Sequence, residues 1–147
     1  MSVLRSPNAI IRNKNDLPTY FKVGTFKSGQ DGDSFGVSLV GITGGAAPSE
    51  RPAFDGDVDV LIQNRSNTVD TVAVRYMDET SVVTDVKYQQ PLFESTTLYV
   101  KVQPNTVVGI FVDVVANEGD ASFTAEVEEI PDITQVPVQH DAMEFDS

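Results

Sequence analysis

Phe123-Thr124-Ala125-Glu126-Val127-Glu128 alternates apolar or small residues with polar ones, one for one. A strand with one buried face repeats with period 2 and a helix near 3.6, so this stretch reads as a half-buried β-strand. The same alternation recurs upstream. Phe35, Val37 and Leu39 share one parity, and Val58, Val60 and Ile62 follow with Asp57 and Asp59 on the other, exposed, parity. Val72, Val74 and Tyr76 alternate with Thr71, Ala73 and Arg75. Val82, Thr84, Val86 and Tyr88 alternate with Asp85 and Lys87, and Leu98, Val100 and Val102 with Tyr99 and Lys101.

Residues 106–115 depart from alternation. Val107, Val108, Ile110, Phe111, Val112, Val114 and Val115 form a nearly continuous apolar run, broken by Gly109 and Asp113. A strand covered on both faces, in mid-sheet or in an oligomer interface, has this character. Its β-branched residues disfavour a helix. Val108, Ile110, Phe111 and Val112 are its expected core or interface contacts.

Turn chemistry falls between these segments, at 64–67, at 117–120 and at Gln103-Pro104-Asn105-Thr106, where Pro fixes φ and Asn tolerates left-handed geometry. No window predicts a helix. Short strands at this spacing predict an all-β fold: a β-sandwich, jelly-roll-like, with extended N- and C-terminal arms. The expected divisions are a basic arm with the first strands (1–30), a core (31–130) containing a long 43–57 loop, and an acidic arm (131–147). Eight of the ten glycines lie between residues 24 and 56. The loop reads equally as a surface excursion or a contact loop.

A length of 147 residues fits one domain, and a hydrophobic fraction of 40% suffices for a core. The net charge of −12 argues against direct nucleic-acid binding, which is built from Lys and Arg on phosphates. Charge is unevenly spread. Residues 1–30 hold Arg5, Arg12, Lys14, Lys22 and Lys27 against Asp16 alone, whereas residues 102–147 hold ten acids and no Lys or Arg. These ends are either independently solvated or meet each other. No membrane-length apolar run and no signal-peptide pattern is present, so neither a membrane nor an encoded export route is expected.

Catalytic chemistry finds little support in the motifs. Cysteine is absent, and the one histidine, His140, lies in the predicted tail. No nucleophile elbow, phosphate loop or dinucleotide fingerprint occurs. The expectation is therefore no enzymatic role and no cofactor. Asp31-Gly32-Asp33-Ser34 and the group Asp55, Asp57 and Asp59 are the candidate calcium clusters, but neither matches the EF-hand loop and both read first as solvated turn acids.

A β core with a polar N-terminus, a long loop and an acidic C-terminal arm resembles the capsid decoration, or cement, proteins of tailed bacteriophages. The resemblance is one of outline and carries no signature motif. It implies a virion protein on the capsid exterior, made in the host cytoplasm, often trimeric, bridging copies of the major capsid protein. Arg5, Arg12, Lys14, Lys22 and Lys27 would then meet an acidic capsid surface, and Val136, Val138, Met143 and Phe145 would anchor the arm to a neighbour. A second reading is a carbohydrate or cell-surface binding module, for which Tyr76, Tyr88, Tyr99 and Phe93 are the aromatic residues to inspect. Another virion component, such as a fibre-associated protein, is a third. Convergent carboxylates with raised pKa would point to an enzyme instead.

Overall fold

The computed structural model describes residues 6–27, 32–42, 58–65, 69–76, 82–90, 95–116, 121–137 and 139–144. Eleven strands are described: β1 (Ala9–Asn13), β2 (Thr19–Lys27), β3 (Ser34–Ile42), β4 (Val58–Arg65), β5 (Val69–Tyr76), β6 (Val83–Gln89), β7 (Thr96–Val102), β8 (Thr106–Ala116), β9 (Ser122–Ile130), β10 (Gln139–Asp141) and β11 (Met143–Glu144). A 3-10 turn covers Ile133–Gln135. The strands form a six-stranded sheet in the order β1-β8-β3-β4-β5-β11 and a five-stranded sheet in the order β10-β6-β7-β2-β9. Every ladder is antiparallel except β5–β11.

The core lies between the two sheets and follows the alternation. Val37, Leu39, Val58, Val60, Ile62, Val72 and Val74 line it from one sheet; Phe21, Val23, Phe26, Val83, Val86, Leu98, Val100 and Val102 line it from the other. In β9, Phe123, Ala125 and Val127 are half-buried while Thr124, Glu126 and Glu128 are exposed, as period 2 requires. The apolar run of 106–115 is β8, a central strand between β1 and β3. Val108, Ile110 and Phe111 are buried and Val112 half-buried, but Val114 and Val115 are 61% and 52% exposed. The Pro104-Asn105 turn is confirmed by a left-handed Asn105, with φ 53°.

The jelly-roll-like sandwich is corrected. A jelly roll is a pair of Greek keys. Here β3, β4 and β5 are consecutive neighbours in one sheet and β6 and β7 are neighbours in the other, so the chain meanders. The sheets are open: one ends at β1 and β11, the other at β10 and β9. The extended arms are corrected as well. Residues 9–13 pair with β8, and the C-terminal segment returns to the body, with β10 on β6 and β11 on β5. The Ala142 N–H donates to the Val86 carbonyl at 3.0 Å between these two short strands. Of the arm anchors, Val136 is half-buried, Met143 is 62% exposed, and Val138 and Phe145 lie outside the described residues.

Two bulges shift parity. One lies in β2 between Lys22 and Gly24, the other in β6 between Val83 and Asp85. The second changes the expected inward set: Val83 and Val86 are buried, whereas Thr84 is exposed. A bulge inserts one residue and re-aims everything beyond it. At the first, Gly24 is required by close approach. A Cβ there would collide with the Thr124 carbonyl oxygen and come within 2.7 Å of the Phe123 ring.

Candidate functional site

A cleft opens where β2 begins and β9 ends. Its volume is about 570 Å³, with one wall from residues 15–20 and the other from residues 129–133. That volume is in the range of small-molecule sites.

The first wall is held by Asn13, which is 2% exposed. Its Nδ2 donates to the carbonyls of Leu17 (3.2 Å), Val102 (3.0 Å) and Gln103 (3.1 Å), and its Oδ1 accepts from the Asn15 N–H at 3.0 Å. Asn is suited to this role because its short amide closes a turn on its own backbone while bonding across to another strand. Asn15 then ties the two walls together. Its Nδ2 donates to Glu129 Oε1 at 2.7 Å and to Thr19 Oγ1 at 3.1 Å. On the second wall Asp132 caps the 3-10 turn, accepting from the Thr134 N–H (3.0 Å) and hydroxyl (2.6 Å). These bonds hold its carboxyl below the usual carboxylate range.

Beyond the cleft the outer face of the five-stranded sheet carries charged rows. Tyr20 is in register with Ile130 and Lys101, and Lys101 with Asp85. The Tyr20 hydroxyl donates to Asp85 Oδ2, and Lys101 Nζ lies 5.8 Å from the Tyr20 ring centroid. The next row runs Glu128, Lys22, Tyr99, Lys87, Asp141. Lys87 pairs with Asp141 and with Asp85 (3.7 Å), and Lys22 with Glu126 (3.6 Å). The β9–β10 connection leaves one edge of this sheet and arrives at the other. Its Ile133 and Val136 carbonyls accept from Gln139 Nε2, and its Pro137 carbonyl from Gln89 Nε2. Gln89 shares the outward parity of Lys87, so the connection is tied to the outer face at Gln89; Tyr99, also on that face, is only 6% exposed.

Burial and nearby carboxylates raise Tyr20, Tyr76 and Tyr99. Burial, then the hydrogen bond to Asp85, raises Tyr20 far above its ordinary value. Burial, then the negative field of Asp85, Glu144 and Asp141, pushes Tyr76 up to about 12. Burial and Glu128 raise Tyr99. Lys87 is raised chiefly by Asp141, partly opposed by burial. A group whose folded pKa exceeds its unfolded value contributes stability that is complete below the unfolded pKa and is lost as pH climbs toward the folded one. The unfolding midpoint in urea should therefore hold between pH 8 and about 9.5 and fall from about pH 10 toward 12. Tyr20→Phe should flatten that limb; an unchanged limb in the variant would remove Tyr20 from this account.

The residues singled out from sequence are dispersed. Arg12 stands on β1 of the six-stranded sheet, Lys14 lies in the following connection, and Lys22 and Lys27 lie on β2 of the other sheet; Arg5 is outside the described residues. Asp55, Asp57 and Phe93 are also outside them, as is the 43–57 loop. Asp59 has the parity opposite Val58 and Val60, but it is buried at 4% exposure rather than solvated. Its Oδ1 accepts from the Ser38 hydroxyl (2.9 Å) and its Oδ2 from Arg75 (2.8 Å). No group of three His, Asp or Glu residues able to hold a metal ion occurs among the described residues. Tyr76 packs at the core margin, and Tyr88 lies against His140 with centroids 5.3 Å apart. The cleft residues were not singled out by sequence reading. The one local signal was the polar run Asn13-Lys14-Asn15-Asp16 before Pro18, which reads as an ordinary turn.

No protein-family model and no curated protein matches the chain. Among solved structures it is similar to WceF of Pantoea stewartii, described as a glycan biofilm modifying enzyme with a bacteriophage tailspike-like parallel β-helix fold. The TM-score is 0.70 at 15% identity, over 95% of this chain and 22% of that one. The chain thus spans about a fifth of that protein's length. This likeness overturns the capsid-decoration resemblance, and with it the decoration and cement assignments. It also corrects the fold: the shared architecture is that of open sheets within a tailspike-like protein, not a closed jelly roll. The expectation of no enzymatic role falls on the same ground, since this fold occurs inside an enzyme. What the comparison shows for this chain is its fold alone, shared with about a fifth of WceF.

Proposed function

We propose that this chain is a glycan-contacting module of a longer tailspike-like protein, and that the cleft between residues 15–20 and 129–133 is where a sugar sits. The observation that carries this is the fold shared over 95% of the chain with part of a glycan-modifying enzyme. The cleft supports it. It combines apolar surface from Leu17, Pro18 and Ile130 with polar groups on Asn15, Glu129 and Asp132, and sites for small ligands pair an apolar lining with a few placed polar groups. Carboxylates are also the residue type that glycoside chemistry uses, so the assay should read turnover as well as binding.

The test is retention of the purified chain on a panel of insoluble bacterial and plant polysaccharides, with reducing-end release measured in parallel. Saturable retention on at least one polysaccharide is expected, at about the micromolar-to-millimolar strength of a single small site, with avidity supplied by multiple copies. A folded chain that is retained by none of them would end the reading. Reducing ends appearing with time would extend it from contact to catalysis.

A further inference from the structure

We infer that the cleft selects uncharged saccharides and turns away those bearing uronate or other anionic groups; this rests on the glycan reading above. The cleft's polar chemistry is one-sided. Asp16, Glu129 and Asp132 line it, and none of its described lining residues is Lys, Arg or His. Ionised carboxylates only accept hydrogen bonds, so a ligand must bring donors, and a sugar hydroxyl is one. Adjacent hydroxyls can give two bonds to one carboxylate.

The bonds already made leave room for this. Glu129 is bonded through Oε1 to Asn15, and Asp132 through Oδ1 to Thr134. Gln135 adds a further side-chain hydrogen bond to Asp132, and both carboxylates belong to residues exposed to solvent, where a ligand hydroxyl can reach them. The nearby cations on the sheet face are directed elsewhere: Lys22 to Glu126, Lys87 to Asp85 and Asp141, and Lys101 to the Tyr20 ring. An anionic sugar entering the cleft would meet three carboxylates in its lining, whereas Lys14, next to Asn15 in the chain, and Lys101, over the Tyr20 ring, stand outside that lining. Leu17, 72% exposed on the first wall, supplies an apolar surface for the C–H face of a pyranose ring.

The experiment uses two probes that differ in charge and not in backbone, an oligogalacturonate and its methyl ester, titrated calorimetrically into the full chain at low and high salt. The ester should bind about tenfold or more tightly than the acid at low salt, and the gap should narrow as salt screens the carboxylates. Glu129→Gln, which keeps the acceptor for Asn15, and Asp132→Asn should each weaken binding of the ester, which loses a carboxylate acceptor, while strengthening binding of the acid, so that the ratio between the two probes falls. Leu17→Ser should weaken the ester. Equal or tighter binding of the acid by the natural chain overturns the inference and leaves the glycan reading standing. So does ester binding that ignores Leu17→Ser. If neither probe binds and the polysaccharide panel is also negative, the glycan reading has failed. If the panel is positive and neither probe binds, a neutral oligosaccharide from the retained polysaccharide replaces the ester and its C6-oxidised form the acid, with the same criteria.

Discussion

Truncating Phe26 to alanine is expected to lower the unfolding free energy by about 3–5 kcal/mol, the range for removing a buried aromatic ring. Phe26 is fully buried at the end of β2, and its ring meets Phe35 of β3 edge-on, with centroids 5.7 Å apart and planes at 63°. The two rings belong to different sheets, so the variant loses both transfer free energy and a contact across the interior. A domain of this size is stable by about 5–15 kcal/mol, so the loss is a large share of the total. Urea unfolding followed by tyrosine fluorescence would measure it, with Leu17→Ala as a surface control expected to stay within about 0.5 kcal/mol. A Phe26→Ala change below about 1 kcal/mol would mean that the two sheets do not pack through this pair.

The core was legible because alternation is a local property. Val58, Val60 and Ile62, or Leu98, Val100 and Val102, announce their buried face by spacing alone, and Asn105 announces its turn by residue type. Bulges defeat the same reasoning. The extra residue in β6 makes Val83 rather than Thr84 the inward neighbour of Val86, and nothing in Val82-Val83-Thr84-Asp85 marks where the period slips. The acidic tail was misread for a related cause. Composition gives its charge, but its strand pairing is decided by the edges of β5 and β6, fifty or more residues away in the chain. The cleft depends on such contacts entirely, since Asn15 and Glu129 meet across 114 positions and Asn13 reaches the carbonyl of Val102. Neither amide nor carboxylate is distinctive until the fold has brought it to its partner.

Asp59 gives the second large effect, and it concerns register. Replacing Arg75 by methionine is expected to cost about 3 kcal/mol, at the low end of the range for breaking a buried ion pair, because Arg75 retains 28% side-chain exposure. The cost falls on Asp59, whose side chain is 5% exposed and would lose its charged partner while keeping the Ser38 hydroxyl. Ser38, Asp59 and Arg75 lie in register across β3, β4 and β5. A one-residue slip of β4 would drive the carboxylate into the core and carry Val58 and Val60 out of it. On this account the row penalises misregistration as well as stabilising the native pairing. Two measurements separate these roles. A double-mutant cycle with Asp59→Ala and Arg75→Met should show a coupling of about 1.5–3 kcal/mol, and additive losses would deny the pair. The apolar triple variant Ser38→Ala, Asp59→Leu, Arg75→Met should recover most of the stability, as buried pairs replaced together often do. If register is what the row secures, that recovered protein should show a broader unfolding transition and faster amide exchange in β4 than the natural chain. A sharp transition with unchanged exchange would assign the row to stability alone.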